Sequence, residues 1–283
     1  MRPIVGVITR SKPSEPRFNV EELRAAAAKA ALVGRVRSWG RTDVGRHRKS
    51  NEDALFCDDE LRLYVVADGM GGHAAGEVAS SEAVDTVHGM VRRGLATIGD
   101  LTQPLTEARA RAACRVLEGA IQAATYMVFA IAELERDKSG MGTTITAALV
   151  VGGSLVIGQV GDSRIYQIRD DRAIQVTEDH TLIAWQIKQG IISADEARMS
   201  PHRNVITRAV GNREYVEVDT SVITVNPGDR YLLCSDGLHG YLQLDEIPDI
   251  AALGGDEAVD EFIKTANARG GRDNITAVLV AIG

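Results

Sequence analysis

Residues 143–169 read TTITAALVVGGSLVIGQVGDSRIYQIR, and this stretch decides the fold class. It contains three apolar runs of typical strand length, rich in β-branched residues, at 143–151, 154–160 and 164–169. Glycine and aspartate, which favour turns, lie between the runs. We therefore predict two antiparallel hairpins, one closed by Gly152-Gly153 and the other around Asp170-Asp171.

The segments on either side add further strands and helices. The pattern predicts strands at residues 61–67, 222–225, 230–235 and 275–282. It predicts helices at residues 21–33, 77–95, 105–135, 182–189, 194–199 and 256–268. Long helical blocks combined with strands in hairpins are typical of an α+β protein whose helices pack outside its sheets.

The composition is that of an ordinary soluble protein. The chain has 283 residues, of which 45% are hydrophobic and 25% are charged, so it can bury a sizeable core. No apolar run approaches the roughly 18 residues of a membrane span, and Pro3 interrupts the place of a secretion signal. The 3 cysteines form no C-x-x-C pair, which favours reduced thiols over a disulfide scaffold or a thiolate zinc site. We expect a cytoplasmic monomer without a membrane span.

The charge is unevenly distributed along the chain. Residues 1–50 hold 12 basic and 4 acidic side chains, a net +8, so the remainder carries −15 of the total −7. An acidic body disfavours nucleic acid as the ligand. The basic arm is either a solvated tail or a segment that binds an anionic partner or the body itself. We divide the chain into an N-terminal extension, residues 1–35, and a main domain, residues 36–283, and expect residues 4–8 to add an edge strand to the body.

Five acidic clusters flank the predicted strands, at residues 51–53, 68–72, 161–163, 235–237 and 272–274. For a single Asp-Gly pair a turn is a sufficient explanation. All five clusters, however, follow or flank apolar strands that would deliver their carboxylates to a common sheet edge. Because clustered carboxylates repel one another unless cations offset them, the sequence predicts a cation site at that edge.

The donor types indicate which cation this site would bind. Carboxylate and carbonyl oxygens favour Mg²⁺ or Mn²⁺ over Zn²⁺, and the 6 histidines form no zinc-hydrolase pair. Two such ions about 3.5–4 Å apart can direct a hydroxide at phosphorus. Arg48, four residues before Glu52, offers the fork-shaped cation that a phosphoryl group needs. A dinucleotide site at Gly69-Met70-Gly71-Gly72 is excluded because a second helical block, not a strand with a ribose-binding acid, follows.

These motifs together resemble the metal-dependent type 2C protein serine/threonine phosphatases, in their bacterial form, over residues 36–283. A single motif of this kind is weak evidence, whereas eight in the correct order are specific. The eight are Thr42-Asp43-Val44-Gly45-Arg46, Arg48 through Asn51-Glu52-Asp53, Asp68-Gly69-Met70-Gly71-Gly72-His73, Gly140-Met141-Gly142-Thr143-Thr144, Gly161-Asp162-Ser163-Arg164, Asp179-His180-Thr181, Ser235-Asp236-Gly237 and Asp273-Asn274. The resemblance implies a central β-sandwich of two antiparallel sheets flanked by helices, in α-β-β-α layers, with a helical flap at about residues 180–210.

The resemblance also assigns metal ligands. It implies that Asp68 bridges two Mg²⁺ or Mn²⁺ ions and that the Gly69 carbonyl binds one of them. Asp236 and Asp273 complete the two core sites, and Glu52 acts through metal-bound water. Asp162, together with Asp236, corresponds to the ligand of a possible third, weaker ion.

The remaining roles concern the substrate and the supporting residues. By the same resemblance Arg48 binds the phosphoryl oxygens and is catalytic together with Asp68, while Asp53 and Asn274 support the ligands from behind. Some members carry a histidine directly after Asp-Gly as a general acid, but Met70 stands there in this chain. The general acid is therefore open between a metal-bound water and His73.

The function implied by the resemblance is hydrolysis of phosphoserine and phosphothreonine in proteins by a hydroxide that bridges the two ions. The expected partners are phosphorylated proteins and a cognate bacterial serine/threonine kinase. Two alternatives are a catalytically silent, metal-binding interaction domain and a metal-dependent phosphodiesterase or nuclease. The presence of Glu52, Asp68, Asp236 and Asp273 counts against the first, and the acidic body counts against the second.

Overall fold

Two antiparallel sheets form the centre of the molecule, as seen in a computed structural model that describes residues 16–29, 34–71, 75–202 and 205–283. In chain order the elements are α1 Val20–Lys29, β1 Val36–Asp43, β2 Asp53–Asp58, β3 Leu63–Met70, α2 Ala75–Ile98, α3 Glu107–Leu134, β4 Gly142–Thr143, β5 Ile145–Val151, β6 Ser154–Val160, β7 Arg164–Arg169, β8 Arg172–Gln175, α4 Leu182–Lys188, α5 Ala194–Met199, β9 Asp219–Thr224, β10 Arg230–Cys234, α6 Asp236–His239, α7 Ile247–Ala252, α8 Gly255–Ala268 and β11 Ile275–Ile282.

The sheets have the strand orders β1-β11-β10-β7-β8 and β2-β3-β5-β6-β9, with β4 pairing beside β3. Every pair of neighbouring strands is antiparallel. One apolar cluster, which includes Tyr64, Ile157 and Leu233, lies between the two sheets. Two further clusters lie outside them, one under α2 and α3 and the other under α7 and α8. The predicted α-β-β-α sandwich is therefore confirmed.

The two long helices bury their small-residue faces against the six-stranded sheet. Along α2, Ala79, Ala83 and Val87 are fully buried at helical spacing, and along α3 Leu117 and Ile121 occupy the same layer. Within the described residues, α3 is the one helix whose length and apolar composition would also suffice for a membrane span. The expectation that no apolar run approaches the length of a membrane span did not account for α3, whose buried face belongs to the core.

The structure corrects several predicted boundaries. The strand expected at residues 61–67 is β3, which runs on through Asp68 and Gly69 to Met70. The strands β1 and β2 were not predicted, because polar residues interrupt β1 and β2 begins and ends with aspartate. Tertiary pairing stabilises both: β1 pairs with β11 along its whole length, and β2 pairs with β3. The short helices α6 and α7 also went unpredicted.

The flap follows β8 and carries the two predicted helices, α4 and α5. Thr181 caps α4, since its side chain accepts a hydrogen bond from the amide of Ala184, and a capping box of Ser193 and Glu196 starts α5. An antiparallel bridge between Thr181 and Ile206 closes the base of this excursion. The segment is therefore a hairpin-like insertion whose two ends meet at this bridge. The residues around the bridge, 180–182 and 205–208, are called the flap neck below.

The described part of the N-terminal extension packs on the body. Arg17 forms a parallel bridge with Ser221 of β9, and Leu23 and Ala26 of α1 are buried. The edge strand predicted for residues 4–8 lies outside the described residues. The division of the chain at residue 35 stays a prediction.

Candidate active site

The acidic clusters meet at one end of the sandwich because antiparallel strands alternately begin and end there. Asp68 is near the end of β3, directly opposite Asp53 at the start of β2. Asp236 follows β10 and Asp273 precedes β11, which are neighbours in the other sheet. Asp162 lies in the turn from β6 to β7, so both sheets contribute carboxylates to the same edge.

Arg48 is a cation at this edge of the sandwich. It lies in the loop between β1 and β2, where its Nη2 donates to Oδ2 of Asp273 at 2.8 Å and its Nη1 is 3.8 Å from Oε2 of Glu52. The Arg48 side chain is 46% exposed, whereas that of Glu52 is only 12% exposed. The guanidinium therefore faces the open side of the site, and the carboxylates lie beneath it.

Asn274 holds two loops of the site together. Its Oδ1 accepts the backbone N–H of Glu52 at 2.8 Å, and its Nδ2 donates to the carbonyls of Val44 at 3.0 Å and Ser50 at 2.9 Å. All three bonds fix the loop that carries Arg48 and Glu52. Asn274 thus supports the loop of Arg48 and Glu52, and its role behind metal ligands stays a prediction.

Two glycines allow the backbone segments of the site to approach closely. A Cβ on Gly69 would lie 2.1 Å from the carbonyl oxygen of Gly76, and a Cβ on Gly237 would lie 1.9 Å from the carbonyl oxygen of Asn274. Both distances are far below van der Waals contact, so no larger residue fits without a backbone shift. Glycine at these two positions is therefore required by the packing of the backbone.

Asp53 is a buried carboxylate with a partly satisfied set of partners. Its Oδ2 accepts hydrogen bonds from Ser235 Oγ at 2.8 Å and Thr276 Oγ1 at 2.6 Å. Its Oδ1 is buried and has no hydrogen-bond partner in the described part of the chain. Burial raises the pKa of Asp53 to about 7, although the two hydroxyls favour the charged form.

Three further carboxyls of the site, those of Asp68, Asp162 and Asp236, also resist ionisation. Burial raises the pKa of Asp68 well above its usual range, and the nearby charges of Asp53, Asp236, Asp162 and Asp273 raise it further. Burial and the charge of Asp236 raise the pKa of Asp162 to about 7. The pKa of Asp236 is raised for the same two kinds of reason, chiefly burial and then the charge of Asp273. At this edge of the protein the negative charges of the carboxylates therefore exceed the positive charge that could offset them.

A divalent cation would offset this excess of negative charge. The donors are carboxylate oxygens and one backbone carbonyl, a set that suits Mg²⁺ or Mn²⁺, and bound cations would favour the charged carboxylates. No three His, Cys, Asp or Glu side chains within the described ranges form a ready-made metal cage. The fit therefore rests on the donor set, on the unpartnered Oδ1 of Asp53 and on the raised pKa values, and the ligand roles remain a proposal.

Comparison with known proteins identifies the family. The family model for protein phosphatase 2C matches residues 45–280. The chain belongs to the protein phosphatase 2C family. The serine/threonine phosphatase Stp of Listeria innocua is 40% identical over 245 residues, which cover 85% of this chain and 93% of that protein.

Solved structures of this phosphatase family agree with the fold. The crystal structure of the Mycobacterium tuberculosis serine/threonine phosphatase PstP/Ppp is 35% identical, with a TM-score of 0.77, over 88% of this chain and 99% of that one. A PstP catalytic domain solved in complex with 2 manganese ions is 34% identical, with a TM-score of 0.75, and covers 88% of this chain and 98% of that one. The chain is thus a metal-dependent protein serine/threonine phosphatase, and Mg²⁺ or Mn²⁺ are its cofactors.

A groove of about 980 Å³ leads to the phosphatase site. Asp162, Asp236 and Asp273 line this groove, and Ile183 and Ile187 of the flap helix α4 form part of its wall. The groove therefore joins an acidic floor to a partly apolar wall contributed by the flap.

Some residues around the site were not found from the sequence. Thr144 Oγ1 accepts the backbone N–H of Asp68 at 2.9 Å and pairs with Ser163 Oγ at 2.8 Å, which fixes the end of β3. The His239 ring lies 3.0 Å through Nε2 from the carbonyl oxygen of Asp162, and burial lowers the pKa of His239 to about 3. The Thr144 motif was visible in the sequence, but His239 carries no local signal because its partner is 77 residues away.

Proposed function

We propose that Arg48 binds the phosphoryl oxygens of a phosphoserine or phosphothreonine side chain and that Glu52, Asp68, Gly69, Asp162, Asp236 and Asp273 form the cation sites beneath it. The single observation that carries this proposal is the convergence of these carboxylates with one guanidinium at one edge of the sandwich. Two bound cations would activate water for attack on phosphorus and offset the charge of the phosphoryl oxygens.

The chain's own residues prepare the site for this chemistry. Arg48 presents two N–H groups in a fixed fork, and its bond to Asp273 holds it at the mouth of the site before a substrate arrives. Asp53 orients the hydroxyls of Ser235 and Thr276 behind the carboxylates. Asn274 fixes the loop of Arg48 and Glu52. The positions of charge are therefore set in advance, which is the usual source of large rate effects.

Among the residues that the structure describes, we assign no side chain as the general acid. His73 lies outside the described residues, and the neutral ring of His239, whose pKa burial lowers to about 3, donates its Nε2–H to the carbonyl oxygen of Asp162. Solvent water at the site remains the proposed proton donor for the leaving alkoxide. No cysteine serves as nucleophile, because burial raises the pKa of Cys114 and Cys57 to about 11 and of Cys234 to about 12.

The biological setting follows from the chemistry of the substrate. Phosphate monoesters of serine and threonine in proteins are products of protein kinases, so we propose that this phosphatase counteracts a cognate serine/threonine kinase in the cytoplasm. The free thiols Cys57, Cys114 and Cys234 support a reducing compartment. The acidic body supports protein rather than nucleic acid as the substrate.

The test compares three substrates with purified protein. An aryl phosphate, a phosphothreonine peptide and an aryl phosphodiester are each assayed with Mn²⁺ and with a chelator. We expect the two monoesters to be hydrolysed only with Mn²⁺ and the diester to be a poor substrate. Turnover of the diester at a comparable rate would contradict the monoesterase proposal, and no turnover of any substrate would support a silent interaction domain instead.

Single-residue variants test whether the phosphatase activity depends on the proposed site. Asp236→Asn should lower kcat at least 100-fold because it removes one carboxylate charge without changing side-chain shape. Asp171→Asn is the matched control, since Asp171 is exposed in the β7–β8 turn. Equal activity of the Asp236→Asn variant and the wild type would refute the assignment.

A further inference from the structure

The described N-terminal segment, residues 16–29, lies outside the region matched by the family model and yet reaches the base of the flap. The backbone N–H of Arg17 donates to the carbonyl of Thr220, and the carbonyl of Arg17 accepts from Val222, both at 3.0 Å. The Phe18 ring beside it stacks under the guanidinium of Arg111, 5.3 Å from the ring centroid. The backbone of Arg17 is therefore fixed against β9.

The side chain of Arg17 spans two carboxylates. Its Nη1 is 3.3 Å from Oε2 of Glu178, and its Nη2 is 3.3 Å from Oδ2 of Asp219. Glu178 belongs to the segment that leads from β8 into the flap, and Asp219 begins β9, which follows the flap. The one guanidinium thus ties the entrance of the flap to the strand beyond its exit.

Each of these carboxylates also holds a residue of the flap itself. Glu178 Oε1 accepts from Lys188 Nζ of α4 at 2.6 Å. Asp219 Oδ1 accepts from Arg208 Nη1 at 2.8 Å, and Oδ2 of Asp219 lies 3.6 Å from Nε2 of His180. Arg17 therefore shares its two partners with the helix α4 and with His180 and Arg208 at the two ends of the flap.

The position of the flap determines the shape of the groove. Helix α4 provides Ile183 and Ile187 to the groove wall, and the neck residue Thr181 lies on the same wall. The backbone N–H of His180 donates to the carbonyl of Gly161, next to Asp162. A shift of α4 would consequently alter the groove wall that faces an extended substrate, whereas Asp236 and Asp273 lie outside the flap.

We propose that Arg17 is a positioning residue through which the N-terminal segment sets the flap for binding of phosphoprotein substrates. This inference rests on the proposed function. Arg17 acts by holding Glu178 and Asp219 at a fixed separation, so that α4 and the flap neck present one shape of the groove wall. The N-terminal segment is then part of the substrate-binding machinery of this chain.

The test compares Arg17→Ala with Arg17→Lys in the full chain. The control is Arg24→Ala, because Arg24 is an exposed arginine of α1 with no ion pair in the described part of the chain. Each variant is assayed with Mn²⁺ on a phosphothreonine peptide of about ten residues and on p-nitrophenyl phosphate, which is too small to span the groove. Hydrogen exchange at the amides of Leu182 and Thr207, which bond across the flap neck, is measured without substrate.

For Arg17→Ala we expect KM for the peptide to rise about threefold with kcat unchanged, the size of effect that exposed ion pairs produce. Values of kcat/KM for p-nitrophenyl phosphate should stay at the wild-type level, and the two neck amides should exchange faster. Arg17→Lys should lie between, because a lysine reaches one carboxylate at a time, and Arg24→Ala should match the wild type.

Two outcomes would overturn the inference. One is an unchanged peptide KM together with unchanged exchange at the neck amides in Arg17→Ala. The other is a parallel loss of kcat/KM on both substrates, which would indicate general damage to the fold. Faster exchange at the neck in a protein that hydrolyses neither substrate would uphold the contact between Arg17 and the flap while refuting the phosphatase function.

Discussion

Replacement of Asp162 by asparagine should stabilise the metal-free protein, and the gain should grow with pH. Asp162 is 7% exposed in the turn between β6 and β7. Burial and the neighbouring charges of Asp236 and Asp179 raise its pKa from 3.8 to about 7. Asparagine keeps the shape of the side chain and removes its ionisation.

The direction of the effect on stability follows from the pKa values of Asp162 in the unfolded and the folded protein. The unfolded chain releases the Asp162 proton near pH 3.8, whereas the folded protein holds it up to about pH 7. Ionisation of Asp162 therefore destabilises the folded wild-type protein increasingly as the pH rises from 3.8 to about 7. Above pH 7 this loss of stability is constant. The difference of about three pKa units corresponds to about 4 kcal/mol above pH 7 and to about 2 kcal/mol at pH 5.

Urea unfolding in the presence of a chelator measures this difference. The free energy of unfolding of Asp162→Asn should exceed that of the wild type by up to about 4 kcal/mol at pH 8 and by about half as much at pH 5. The exposed Asp171→Asn variant should match the wild type at both pH values. A gain that does not change with pH, or a loss of stability at pH 8, would refute the electrostatic argument for a cation site.

Three other predictions test the site and the packing. Arg48→Lys keeps the charge but loses the two-pronged fork, so kcat/KM for a phosphothreonine peptide with Mn²⁺ should fall at least tenfold, and an unchanged value would contradict the role of the fork. Gly237→Ala places a Cβ 1.9 Å from the carbonyl oxygen of Asn274, so thermal unfolding should show a destabilisation of at least about 2 kcal/mol; a smaller loss would mean that the backbone yields easily. Gly119→Ala, in the middle of α3 with no atom within 4 Å of the new Cβ, should instead stabilise by about 0.5–1 kcal/mol in the same measurement, and a loss would show that the helix surface there is not free.

Local patterns were sufficient for much of the fold. The strands at residues 154–160, 164–169 and 275–282 and the helix at residues 194–199 were predicted with the bounds that the structure shows. In these segments turn residues flank continuous apolar runs or a capping box begins the helix, so the signal is contained within the segment. The strand β2 was not predicted from its local pattern, because its inward residues pack only after β3 is beside it.

In the candidate site, too, some residues were indicated by the local sequence and others only by contacts between distant residues. Aspartate next to glycine at strand ends indicated Asp68, Asp162 and Asp236 without any knowledge of their neighbours. The bond of Arg48 to Asp273 joins residues 225 positions apart, and the N–H···O bond of Glu52 to Asn274 joins residues 222 positions apart. Such contacts have no local signature and depend on the pairing of the two sheets.

By itself the sequence determined most of the elements and the chemical types at their ends, because periodicity and turn chemistry act over a few residues. Only the tertiary structure decided that Asp68, Asp236 and Asp273 face one another across two sheets, and that Arg17 reaches Glu178 and Asp219 on either side of the flap. The physical reason is that burial and the sum of neighbouring charges, which raise the carboxyl pKa values, exist only once distant segments have packed together.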